Sequence, residues 1–155
     1  MKNLISTLFI GGALVLGGCG ENKDSKVEEK SELEKYNLEN KQLHKDFIKF
    51  CNENPNKKEY AQSQYEIKFP NKGYSIDFNE DGFLFITLAD TNFQDVDADG
   101  LDNKFQDSYT FEDKNTGLID HKYLKDLSPK EKLSIAKQYT NLKRKILHDG
   151  KYKNY

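Results

Sequence analysis

The stretch that decides the fold is residues 65–89, YEIKFPNKGYSIDFNEDGFLFITLA. Apolar and polar residues alternate in Tyr65–Phe69 and again in Tyr74–Phe78, which is the period of half-buried strands. Residues 83–89 form a more continuous apolar run, as expected for a central strand, and the segments between the runs are rich in turn formers. The stretch therefore predicts an antiparallel meander of three strands, with residues 109–111 as a candidate fourth strand.

An amphipathic helix is predicted before this meander. Over residues 27–54, apolar residues recur at alternating steps of three and four, and Asn40 fills one gap in the pattern. The apolar members of this face are Leu33, Tyr36, Leu43, Phe47 and Phe50. The pattern favours a helix packed on its own domain. The alternative is a short coiled coil that pairs with a partner protein or with a second copy of the chain.

A second helix is predicted at the C-terminal end. Ser128 stands at its cap, Pro129 at its first position, and Glu131 completes a capping box, while Gly150 is placed to end it. Residues 118–127 are predicted to form a short helix or turn. The sequence as a whole therefore predicts an α+β fold, in which a small antiparallel β-meander of three to four strands is packed by an N-terminal and a C-terminal helix.

Composition and charge exclude several classes of protein. The chain has 155 residues, 35% hydrophobic and 32% charged, with ten Phe and nine Tyr. It is too polar for a multi-pass membrane protein and too short for a large enzyme with a deep core, but its aromatic residues allow it to collapse. Residues 75–113 hold eleven acidic residues and one basic residue, and residues 114–155 hold eleven basic and four acidic residues. Because every basic residue except Arg144 is lysine, we expect no nucleic-acid partner, and a solvated basic face attracted to the acidic block is favoured.

The N-terminus has the form of an export signal. After Lys2, an apolar run of 13 residues spans Leu4–Leu16. This run is shorter than the roughly 20 residues that cross a bilayer as a helix. It ends in residues 16–19, Leu-Gly-Gly-Cys, in which two small residues precede the cysteine.

This ending resembles the lipobox of prokaryotic lipoproteins. The resemblance implies a signal peptide over residues 1–18, cleavage before Cys19, and a lipid on the Cys19 thiol that anchors the chain to a membrane. The protein would then be exported to the cell membrane or outer envelope and face the extracytoplasmic side. A flexible tether over residues 19–30 and a single α+β domain over residues 31–155 would follow. The alternatives are an ordinary signal peptide and a weak membrane anchor.

Residues 95–107, DVDADGLDNKFQD, carry the clearest chemical pattern in the chain. Acidic residues at positions 1, 3 and 5 with Gly100 at position 6 follow the spacing of calcium loops, in which alternate residues of a tight loop direct oxygens at a hard cation. The predicted ligands are the carboxylates of Asp95, Asp97 and Asp99, the carbonyl of Leu101, Asn103 directly or through water, and Gln106 or Asp107 as the closing group.

This loop resembles the DxDxDGLxD loops of thrombospondin type 3-like repeats, and it is EF-hand-like in its spacing although strand-like sequence precedes it. It departs from the pattern at Asn103 and Gln106, which stand where acidic residues are usual. The resemblance implies weak calcium binding, near the about 10⁻⁴–10⁻³ M of extracellular modules. The alternative is an acidic, solvated loop that holds no metal.

The remaining reactive residues have ordinary explanations. Cys51 follows an aromatic segment and is predicted to be a buried small hydrophobic residue, and with Cys19 lipidated it has no disulfide partner. Residues 77–82 fit the first half of the calcium pattern but are favoured as a hairpin turn. His44, His121 and His148 are scattered along the chain and belong to no catalytic motif.

These features favour a lipid-anchored cell-envelope protein with a calcium-binding loop, acting as a structural or binding module at the surface, over an enzyme. One alternative is an exported enzyme or an accessory subunit of an enzyme. Another is an exclusion or immunity-type lipoprotein that blocks a partner protein through the helix at residues 27–54.

Overall fold

The computed structural model describes residues 23–102 and 106–151, which fold as two helices and one sheet. The elements in chain order are α1 (Lys23–Glu53), β1 (Lys58–Ala61), β2 (Gln64–Phe69), β3 (Tyr74–Asn79), β4 (Leu84–Leu88), β5 (Thr91–Asp95), β6 (Ser108–Glu112), β7 (Ile119–Tyr123) and α2 (Pro129–Lys151), with short 3-10 turns at Pro70–Lys72 and Leu124–Asp126. Each strand pairs antiparallel with the next, so the sheet order is the chain order.

The predicted α+β class and the antiparallel meander are confirmed, but three to four strands understates the seven-stranded sheet. The prediction omitted β1, whose four residues are all exposed, and β5, in which only Phe93 and Asp95 are buried. The short helix or turn predicted over residues 118–127 is wrong in its first half, because residues 119–123 form β7. β1, β5 and β7 bury too little apolar surface to show a clear alternation of apolar and polar residues in the sequence.

The core is a set of rows that run across the sheet. Ile67, Ile76, Ile86 and Phe93 stand opposite one another on successive strands, and all four are buried on the face that the helices cover. Side chains at directly opposed positions lie close enough to pack, so each row stabilises several strand pairs at once. The continuous apolar run at residues 83–89 is therefore the central strand that the sequence predicts.

The two helices pack against each other in parallel. Contacts follow the same order along both helices: Glu32 pairs with Lys137 at 2.7 Å, the Asn40 amide donates to the Thr140 hydroxyl at 2.6 Å, and Phe50 abuts Gly150. β1 begins at the C-terminal end of α1. Because the number of antiparallel strands is odd, β7 ends at the level of the N-terminal end of α1, so α2 starts there and runs parallel to α1. The apolar face of α1 therefore contacts α2 of the same chain.

The capping box at the start of α2 is confirmed. The Ser128 backbone amide and hydroxyl donate to the Glu131 carboxylate at 3.0 and 2.6 Å, and the Glu131 amide donates back to the Ser128 hydroxyl at 3.4 Å. The predicted stop at Gly150 is wrong, because α2 continues through it to Lys151. The Phe50 ring lies where a side chain at position 150 would stand, which explains why this position is a glycine. The same ring is stacked on Phe69.

The N-terminal predictions fall mainly outside the described residues. The signal peptide over residues 1–18 and the lipidated Cys19 lie there, whereas α1 already begins at Lys23. α1 therefore overlaps residues 23–30 of the tether predicted over residues 19–30. Neither helix described in residues 23–102 and 106–151 has an apolar stretch that could cross a membrane.

Cys51 is buried, as the sequence predicts. Its side chain has no exposed surface and belongs to the core cluster. Burial raises the pKa of the thiol to about 12, so the group is neutral at physiological pH. A neutral and inaccessible thiol is a poor nucleophile, and Cys51 therefore has a packing role.

Replacing Gly150 with Ala should destabilise the domain. A Cβ at this position collides with the Phe50 ring, which is stacked on Phe69, and overpacking of this kind costs about 1–3 kcal/mol. Chemical denaturation of the variant should show the loss, whereas Ser134→Ala on the exposed side of the same helix should show none. A Gly150→Ala variant that is as stable as the parent protein would contradict this account of the helix contact.

Candidate metal centre

The acidic loop joins β5 to β6. Asp95 is the last residue of β5, and Asp107 directly precedes β6. One carboxylate oxygen from each of Asp95, Asp97 and Asp99 lies within 4.8 Å of the others, so these three residues could hold a metal ion. The structure thus brings together the first three predicted ligands.

The loop is packed onto α1 and is not a free solvated segment. Ala98 and Leu101 are buried in the core cluster, and Ala98 takes a left-handed conformation with φ of 54°. Gly100 has φ of 120°, and a Cβ placed there would lie 2.5 Å from the Cβ of Asn40 on α1. A glycine is needed here for two reasons, its backbone conformation and the close approach of the helix.

The two carboxylate oxygens of Asp95 have different surroundings. Oδ2 accepts hydrogen bonds from the Tyr139 hydroxyl at 2.9 Å and from the Gly100 amide at 3.1 Å, and it lies 3.5 Å from Lys143 Nζ. Oδ1 is buried and accepts no hydrogen bond from any described residue. Burial raises the pKa of Asp95 to about 6, while Lys143 and Tyr139 act in the opposite direction.

Lys143 is the buried cation of this centre. Its side chain has no exposed surface, and its Nζ lies 4.5 Å from the centroid of the Tyr139 ring and 5.6 Å from that of Phe47. The ammonium group is thus held between two aromatic rings and the Asp95 carboxylate, which partly replaces its lost hydration. Burial lowers the pKa of Lys143, and the charge of Asp95 offsets only part of that effect.

The two carboxylate oxygens of Asp99, like those of Asp95, have different surroundings. Its Oδ2 lies 3.5 Å from Lys41 Nζ on α1, and the same lysine lies 3.7 Å from Asp102. Its Oδ1 is buried without a hydrogen-bond partner in the described part of the chain. Burial raises the pKa of Asp99, and the neighbouring Asp97 adds to the rise. Asp97 accepts a hydrogen bond from the Asp99 amide at 3.3 Å, which holds the turn.

Asp107 closes the loop through the backbone. Its Oδ1 accepts from the Val96 amide at 3.0 Å and its Oδ2 from the Asp102 amide at 3.1 Å. Burial raises the pKa of Asp107, although these two hydrogen bonds oppose the rise.

Gln106, the other predicted closing group, is exposed, and its backbone is left-handed with φ of 65°. Asn103 lies outside the described residues.

Sequence reasoning missed the residues that surround the acidic cluster. Tyr139 lies on the apolar face of α2, and Lys143 falls within the predicted solvated basic face of residues 114–155, yet both side chains are fully buried. Their spacing of four residues places both on one face of the helix, so a lysine in register with that apolar face was the available signal. Lys41 gave no such signal, because it lies among many charged residues on α1.

The other polar groups have structural explanations. Asn79 Oδ1 accepts from the Asp81 and Phe83 amides at 3.0 and 2.9 Å, so the predicted hairpin turn is present at residues 80–83, while Asp77 lies within β3. His121 lies on β7, 2.9 Å from the Thr110 hydroxyl, and His44 is half-buried near the acidic loop. A cavity of about 490 Å³ lies between the C-terminal ends of the helices, and its described lining contains no histidine.

Comparison of this chain with models of known protein families, with curated proteins and with solved structures finds no match.

Replacing Lys143 with Met should destabilise the protein in the presence of a chelator. The substitution keeps most of the volume but leaves the Asp95 carboxylate buried without its cation, and breaking such a pair costs about 3–5 kcal/mol. The double variant Asp95→Asn/Lys143→Met should recover most of the loss in free energy of unfolding. A single variant that loses under about 1 kcal/mol, or a double variant no more stable than the single one, would refute the ion-pair interpretation.

Proposed function

We propose that this protein is a lipid-anchored cell-envelope protein whose domain binds calcium in the loop at residues 95–107 and acts as a structural or binding module. The observation that carries the calcium proposal is the pair of buried carboxylate oxygens, Oδ1 of Asp95 and Oδ1 of Asp99, that no described residue satisfies. Buried polar atoms are normally hydrogen-bonded, and two carboxylate oxygens of one cluster that lack a described partner support an ion as the missing partner.

Calcium fits the chemistry of these donors. The cluster offers only oxygen atoms, and a hard cation with six to eight oxygen ligands suits a loop that contributes both carboxylates and carbonyls. Asp95, Asp97 and Asp99 would supply three ligands, and the Leu101 carbonyl, Asn103 and Gln106 are the proposed remainder. Asp107 is then assigned to closing the loop, since both of its oxygens already accept backbone hydrogen bonds.

The fold supplies a reason for modest affinity. Lys143 and Lys41 already lie beside Asp95 and Asp99, so part of the negative charge of the cluster is compensated without an ion. An ion would gain less from the remaining charge than it would from three uncompensated carboxylates. Binding in the range of about 10⁻⁴–10⁻³ M, which is useful outside the cell, is the expected result.

The lipid anchor would hold the domain close to the membrane. Residues 19–23 can span at most roughly 14 Å, and α1 begins at Lys23. A lipid on Cys19 would therefore place the start of α1 near the membrane surface. The proposal rests on residues 16–19 and their resemblance to a lipobox.

Calcium should raise the melting temperature of the wild-type protein at millimolar concentration. The shift should follow the linkage relation for a ligand that binds only the folded state, and it should vanish in the variant Asp97→Asn/Asp99→Asn. Thermal unfolding with added calcium, compared with the same scan in chelator, measures it.

A matched control for this titration is Asp81→Asn/Asp90→Asn, which removes two exposed acidic residues outside the loop. This control should respond to calcium as the parent does. The absence of any shift in the parent, or an equal shift in the loop variant, would rule out the site.

Labelled fatty acid should be incorporated into the full chain in a bacterial host and should be lost in Cys19→Ala. The thiol is the only group of the lipobox that can form the thioether to the lipid. Cys51→Ala should keep the label, because Cys51 is buried in the core. Label that persists after Cys19→Ala would contradict the anchor.

A further inference from the structure

The two edges of the sheet are different. At β1, the pairing with β2 shifts register between Glu59 and Ala61, and the strand is only four residues long. Bulges and short, charged edge strands prevent sheets from pairing with other chains. At the opposite edge, all five residues of β7 pair with β6 in regular register. The β7 edge therefore lacks the register shift that interrupts the β1 edge.

The backbone groups of β7 that bond to no described residue lie on alternate residues. The Asp113 amide donates to the Leu118 carbonyl, and the Leu124 amide donates to the Asp107 carbonyl, both at 2.9 Å. In an antiparallel ladder the bonded positions recur every second residue, so the even-numbered residues of β7 bond to β6. Ile119, His121 and Tyr123 thus direct their backbone N–H and C=O groups away from the sheet.

The side chains of these residues leave apolar surface at the same edge. Ile119 is 68% exposed and Tyr123 40%, and Leu118 just before the strand is 68% exposed. Tyr123 lies edge-on to the His121 ring, with ring centroids 4.8 Å apart. Apolar side chains beside a row of free backbone groups are typical of a strand that pairs with another strand.

We propose that β7 pairs antiparallel with β7 of a second copy of this chain, about a two-fold axis at His121. In this register Ile119 of one copy faces Tyr123 of the other, and Asp120 faces Lys122. The sequence Ile-Asp-His-Lys-Tyr is therefore complementary to itself, with two Ile119–Tyr123 pairs around a His121 pair on one face and opposite charges on the other. The outward backbone groups of all three odd-numbered residues gain partners.

The charged face of the strand is compatible with this pairing. Lys122 Nζ lies 3.7 Å from Asp120 and 3.8 Å from Glu131 in its own chain, so its charge is already balanced at the edge. A second copy adds another Asp120 opposite each Lys122. A parallel arrangement, or a register shifted by two residues, loses this match of opposite charges.

Site-specific cross-linking tests the proposal. The full chain carrying His121→Cys, expressed in cells, should give a product of twice the chain mass with a short bismaleimide reagent, because the two substituted positions face each other across the axis. The matched control is Leu38→Cys, which is also exposed but lies on α1. The parent chain gives the background, and its Cys51 is too buried to react. The same dimer should form in Cys19→Ala/His121→Cys, which excludes cross-links through Cys19.

A second substitution makes the test specific. Adding Ile119→Lys to the His121→Cys chain should reduce the dimer roughly tenfold, since it places a charge opposite Tyr123, whereas Leu38→Lys should leave the dimer unchanged. Dimer from Leu38→Cys, absence of dimer from His121→Cys, or a product whose mass is not twice that of the chain would each overturn the proposal. The last result would point to a different partner protein at this edge.

Discussion

The buried ion pair between Asp95 and Lys143 holds the domain together at the point where its parts meet. Asp95 ends β5 and begins the acidic loop, while Lys143 lies in the middle of α2 and against Phe47 of α1. The Tyr139 hydroxyl and the Gly100 amide bond to the same carboxylate oxygen. One oxygen atom thus links the sheet, the loop and α2, and every part must be in place for the charges to be compensated.

The same residue connects the fold with the proposed function. Asp95 uses Oδ2 to bind the protein and leaves Oδ1 without a partner among the described residues, and Asp99 shares its carboxylate in the same way with Lys41. The acidic block at residues 75–113 and the basic block at residues 114–155 therefore contact each other through the Asp95–Lys143 pair. Lys143 and Lys41 compensate part of the negative charge of the acidic loop, while one buried oxygen of Asp95 and one of Asp99 have no partner among the described residues.

Much of the sheet could be predicted from local sequence. The alternation at residues 65–78 and the apolar run at residues 83–89 follow directly from one-sided burial, and the capping box at Ser128 depends on residues three positions apart. The polar outer strands gave no such pattern, because little of their surface is buried. The three aspartates of the loop were recognisable by their spacing, but Lys143 was not recognisable as their partner, because that contact joins distant parts of the chain.

The central claim is that the loop binds calcium through the oxygens that the fold leaves unsatisfied. Terbium(III), which replaces calcium at oxygen sites and emits when a nearby tyrosine is excited, tests it directly, because the Tyr139 hydroxyl lies 2.9 Å from Asp95. The account predicts tyrosine-sensitised terbium emission from the protein, displaced by calcium and lost in Asp97→Asn/Asp99→Asn. Absence of sensitised emission, or emission that survives in that variant, would contradict it.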